Sequence, residues 1–99
     1  MKVFKTKTAT KSAIYKIVAP FTKGFFEDTD WKFVHDVWRV LEINGVTTCV
    51  EAGKYDGDKS KTWNFTANVN GFTFNGYLVA SFCGTVSDPT SRYDLCFVI

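Results

Sequence analysis

A chain of 99 residues with a net charge of +2 can close one core and is too short for two. Its longest apolar runs fall short of a bilayer crossing. The basic, polar start from Met1 to Ala13 lacks the apolar stretch of a signal peptide, so the sequence predicts a cytoplasmic protein without membrane association.

Aromatic usage is high, with ten Phe, four Tyr and three Trp, and large rings bury much area per residue in a small core. Cys49, Cys83 and Cys96 are odd in number and too few for a disulfide scaffold. They read as reduced, half-buried thiols, with a Cys83–Cys96 bridge across the last hairpin as the alternative.

The charge is unevenly spread. Lys2, Lys5, Lys7, Lys11, Lys16 and Lys23 all precede the first acid, Glu27, whereas ten acids face six bases from there on. In chain order, Val3-Phe4 lies in a Lys/Thr-rich stretch that reads as a short edge strand. Thr10 or Ser12 is placed to cap a helix over Ala13–Val18, limited by Pro20. Phe25 and Phe26 beside Glu27, Asp28 and Asp30 read as an apolar knob with an acidic collar, or as an anchor pinning a loop to the core.

Residues 31–43 are ambiguous. Their β-branched and aromatic content, and the Asn44-Gly45 turn signal that follows, predict a strand. Val34, Val37, Trp38 and Leu41 also form a helical stripe that Asp30 could cap, leaving a second helix as the alternative. Val46–Val50 reads as a strand, and Lys54–Lys61 as an exposed polar loop with an Asp-Gly turn.

The clearest signal is the next hairpin. Trp63, Phe65, Ala67 and Val69 alternate with polar residues, Asn70-Gly71 forms the turn, and Phe72, Phe74, Gly76 and Leu78 continue the spacing. A two-residue loop sets Val69 opposite Phe72, Ala67 opposite Phe74, Phe65 opposite Gly76 and Trp63 opposite Leu78. The apolar run Tyr77–Cys83 predicts a central strand covered on both faces. After turn residues at Ser87–Ser91, Tyr93–Ile99 alternates as a last strand, docked at its end. The predicted fold is α+β and β-rich: a short N-terminal strand and helix, then an antiparallel meander of about five strands in a single domain, residues 1–99.

Familiar chemistries come close and fail. Gly53–Ser60 lacks the P-loop spacing and sets Asp58 before Lys59, where an acid would repel phosphate. Asp56, Asp58 and Ser60 resemble the start of a calcium loop, but Lys61 and Ala67 stand where a glycine and a bidentate acid are needed. His35 is the single histidine, so no multi-histidine metal site or relay can form. Gly71, Phe72, Phe74 and Tyr77 match positions of an RNA-binding octamer, yet the phenylalanines share the apolar face and read as core.

The sequence therefore predicts a non-enzymatic binding protein without cofactor or metal. The class expected is an intracellular inhibitor or adaptor of a protein partner, of the host-modulating kind carried by viruses and phages, as monomer or homodimer. The alternative is a nucleic-acid-binding module using Lys2, Lys5, Lys7, Lys11 and Lys16. Further candidate contacts are Phe25, Phe26, Asp56, Asp58, Lys59 and Arg92.

Overall fold

The computed structural model describes residues 5–22, 31–57, 60–82 and 93–99. Two helices precede the sheet: α1 (Lys7–Thr22) and α2 (Lys32–Ile43), followed by β1 (Thr47–Val50), β2 (Lys54–Asp56), β3 (Ser60–Val69), β4 (Phe72–Phe82) and β5 (Tyr93–Val98). The sheet is antiparallel in the order β1-β3-β4-β5, with β2 beside β1 on the same edge of β3. This is the predicted α+β meander. The Val3-Phe4 strand lies outside the described residues, and no described helix is long and apolar enough to cross a membrane.

Helix α1 is longer than the sequence suggested. Its cap is Thr6, not Thr10 or Ser12: the Ala9 amide donates to Thr6 Oγ1 at 3.1 Å. Thr10 is instead buried in the first turns, its hydroxyl donating to the Thr6 carbonyl at 2.6 Å. Pro20 does not stop the helix, which runs on to Thr22. A proline this close to the end disrupts little that a last turn would otherwise make.

The strand reading of residues 31–43 is overturned in favour of the helical alternative. Phe33, Val34, Val37 and Leu41 are buried along one face of α2, the helical stripe already visible in the sequence. Asn44-Gly45 is therefore a helix terminus and not a hairpin turn. Gly45, at φ +81°, donates to the Glu42 carbonyl, and Val46 donates to that of Leu41, each at 2.9 Å. These are the paired bonds of a Schellman motif, and Leu41 and Val46, both fully buried, supply its apolar contact. Asn-Gly signals positive φ; whether that positive φ turns a hairpin or ends a helix is decided by what precedes it.

The β3–β4 hairpin has the predicted register, pairing Val69 with Phe72 through Trp63 with Leu78. Asn70 (φ 48°) and Gly71 (φ +81°) make the turn. On its outer side Thr66 donates to Asn75 Oδ1 at 3.2 Å, and Thr73 to Asn68 Oδ1 at 2.7 Å. The inner side, with Trp63, Phe65, Ala67, Val69, Phe74, Leu78 and Ala80, meets Leu95 and Phe97 of β5 and the buried faces of both helices. Phe65 and Phe97 stack with centroids 5.3 Å apart, Trp38 tilts over Phe65 at 5.1 Å, and Tyr15 meets Phe97 edge-on at 5.8 Å.

Two joints shape the sheet's ends. At one, β1 pairs with β3 up to Val50–Phe65, while β2 resumes one residue out of step at Lys54–Thr62. The Glu51 amide still reaches the Asn64 carbonyl at 2.9 Å, so Ala52 and Gly53 together face Trp63 as a β-bulge. The predicted loop at Lys54–Lys61 is thus partly strand. At the other joint, Gly76 leaves room for the end of β5: a methyl group there would overlap the Val98 carbonyl oxygen and lie 2.7 Å from Ile99 Cγ2. Tyr15 holds this end from above. Its hydroxyl accepts from the Ile99 amide at 3.0 Å and donates to the Ile99 carbonyl at 3.2 Å.

Candidate interaction surface

Both helices lie on one side of the sheet, so alternation along the strands decides what the other side offers. β4 is central, as predicted, but it is not covered on both faces. Leu78 and Ala80 are fully buried beneath the helices, whereas Tyr77, between them and the turn, is 42% exposed on the opposite side. Tyr77 pairs with Val98 and Val79 with Cys96, forming a small apolar strip over β4 and β5. Beyond β5 no strand pairs among the described residues, and an edge strand presents backbone groups on which a partner strand can pair.

Towards β1 the same face is mostly polar. Cys49, Glu51, Asn64, Phe65, Thr66, Asn75 and Gly76 line a depression, and the Thr66–Asn75 hydrogen bond ties two of its side chains together. The open face is thus divided into a mostly amide-and-hydroxyl half towards β1 and an apolar half over β4 and β5.

The cysteines differ from the sequence reading. Cys49 and Cys96 are free and exposed on this open face, not half-buried. Cys96 stands opposite Val79 rather than opposite Cys83, which lies outside the described residues. Short side chains at outward positions are exposed whatever their hydrophobicity, and which face the helices take is decided by tertiary packing rather than by local pattern.

Of the predicted contact residues, Lys5, Lys7, Lys11 and Lys16 are exposed on or just before α1, a helix without a single carboxylate. Lys7 and Lys11 flank a groove completed by Thr8, Thr73, Phe74 and Asn75, with Lys7 Nζ 5.7 Å from the Phe74 ring centroid. Phe74 itself is buried, and Phe72 lies on its side of the sheet whereas Tyr77 lies on the other, so these rings form no common stacking platform. Asp56 is exposed at the end of β2, on a different element, its carbonyl accepting from Ser60 Oγ at 3.0 Å. Lys2, Phe25, Phe26, Asp58, Lys59 and Arg92 lie outside the described residues. The structure therefore gathers the α1 lysines but does not join them to Asp56.

Sequence reasoning passed over the Tyr77–Val98 strip, although period-2 alternation already put Tyr77 and Val79 opposite Leu78 and Ala80. It also missed a cluster of Trp31, Tyr55, Lys61 and Trp63, whose members come from separate elements. Comparison with protein-family models, with curated proteins and with solved structures finds no match.

Proposed function

We propose that this chain is a non-enzymatic protein-binding module that docks its partner on the open face of the sheet at the β4–β5 edge. The observation that supports this most is the exposed Tyr77, set in an apolar strip beside β5, an edge strand among the described residues. Tyrosine offers large, rigid contact area with a polar end and is enriched at the centres of interfaces. An edge strand adds main-chain hydrogen bonds that need no particular partner sequence. An inhibitor or adaptor acting inside a cell is the biological role this reading fits.

The test is affinity capture with the parent chain, with Tyr77→Ser, and with Lys5, Lys7, Lys11 and Lys16 changed to Gln. On this reading Tyr77→Ser weakens partner binding by at least about tenfold, or ~1.4 kcal/mol, and the lysine variant does not. Equal binding by parent and Tyr77→Ser would refute the site.

A second reading rests on the carboxylate-free α1 and its lysine-flanked groove, which suit the phosphates of a nucleic acid. Fluorescence anisotropy with labelled DNA and RNA distinguishes it. Binding that falls steeply between about 50 and 200 mM salt, and is lost in the lysine variant, favours nucleic acid; no binding at low salt removes that reading.

A further inference from the structure

At the bulged end of the sheet a cation sits among three aromatic rings. Lys61 Nζ lies 4.7 Å from the ring centroid of Tyr55, 5.0 Å from that of Trp31 and 5.3 Å from that of Trp63. All are within the ~6 Å at which a ring face attracts a cation. The rings come from the start of α2, from β2 and from β3, so tertiary structure alone assembles them. Trp31 and Trp63 pack edge to face at 5.2 Å, and Tyr55 is Lys61's cross-strand neighbour.

The chain bends its local rules to make this arrangement. Trp31 adopts φ 59°, ψ 22°, a left-handed conformation that is unfavourable for a bulky residue. The bulge brings Gly53 so close that a Cβ there would stand 2.5 Å from Lys61 Cε and 2.6 Å from Trp63 Nε1. Trp63 is buried, 9% exposed, whereas Tyr55 is 67% exposed. The cage therefore has a fixed floor and a wall that faces solvent.

We infer that this cage is a recognition site for a trimethylammonium group, which Lys61 fills in the free protein and gives up to the ligand. A lysine ammonium is compact and strongly hydrated, and its N–H donors are poorly served by aromatic rings. A trimethylammonium has no donors to satisfy, and its methyl groups touch the rings while its charge meets their negative faces. Exchange thus returns the better-hydrated cation to water. The opposing term is Lys61's tether, which acts as a competitor at millimolar local concentration. The reading is independent of partner docking on the open face.

The test uses the whole chain and follows the indole N–H signals of its three tryptophans by NMR. Probes are choline, N-acetyl-trimethyllysine amide, and 3,3-dimethylbutan-1-ol, the uncharged carbon isostere of choline. The expected result is saturable movement of the Trp31 and Trp63 signals, with Trp38, packed on Phe65, as the internal reference. Removing the resident competitor in Lys61→Ala tightens binding about tenfold, as for a site that is mostly occupied. Lys61→Gln, which removes the charge but keeps the first two methylenes and a polar end, does the same and guards against misfolding of the first variant. Tyr55→Ala weakens binding about fivefold or more, since a cation–π contact is worth ~1 kcal/mol or more when partly desolvated. Tighter binding of choline marks a small-molecule ligand, and tighter binding of the lysine derivative a modified side chain. No saturable shift in either Lys61 variant at millimolar probe, equal binding of the isostere, or equal affinity in parent and variants overturns the inference.

Discussion

Tyr15→Phe is the sharpest probe of how the end of β5 is held. The change removes one oxygen, which both accepts from the Ile99 amide and donates to the Ile99 carbonyl. The ring remains, with its edge-on contact to Phe97. Each lost hydrogen bond contributes roughly 0.5–1.5 kcal/mol net, so the expected destabilisation is about 1–3 kcal/mol. In a domain of this size each kcal/mol lowers the melting temperature by about 4–8 °C. Urea unfolding measures the global loss, and hydrogen exchange shows whether β5 amides lose protection before those of β3, as expected for a joint at one end of β5. Gly76→Ala pushes on the same joint from below, where a methyl group collides with Val98 and Ile99. The two changes should therefore be non-additive by about 0.5 kcal/mol or more. A Tyr15→Phe variant within ~0.3 kcal/mol of the parent, with unchanged β5 exchange, would refute this reasoning.

Other changes test the remaining structural claims. Gly71→Val places a β-branched residue at φ +81° and should cost about 1–2 kcal/mol or more by urea unfolding. Leu41→Ala removes a fully buried side chain and the apolar half of the α2 terminus, for an expected loss of about 2–5 kcal/mol. Gly53→Ala forces Trp63 or the bulge to move and should cost about 1–3 kcal/mol; near-neutral stability would mean that the bulge is looser than it stands here. Cys49 and Cys96 should both react with a maleimide in the native protein, mapped by peptide mass, because both are exposed on the open face.

Much of the sheet was legible because its information is local. The alternation from Trp63 to Leu78 and the Asn70-Gly71 turn agree with each other, so register followed from spacing alone. Residues 31–43 were not legible in the same way, since β-branched and aromatic residues serve a buried helix face as readily as a strand. Asn44-Gly45 then reinforced the error, a positive-φ signal common to hairpins and helix ends. The open face required knowing which side of the sheet the helices cover, and that is settled by packing. The Lys61 cage was further from reach, because Trp31 and Tyr55 meet it only after α2 and β2 are placed. Gly53, between the strand at Val46–Val50 and the polar stretch at Lys54–Lys61, was the one local hint of it, since a glycine beside a strand can mark a bulge. The exposure of the α1 lysines is what their charge alone implies.

If a protein partner docks over Tyr77 and Val98 at the β4–β5 edge, as proposed, the thiols on the same face report on it directly. With partner bound, maleimide labelling of Cys96, in the strip itself, should slow at least about tenfold, as expected on entering a desolvated interface core. Cys49, at the opposite edge of the sheet on β1, keeps its free rate. A stable complex in which Cys96 labels as fast as in the free protein would contradict it.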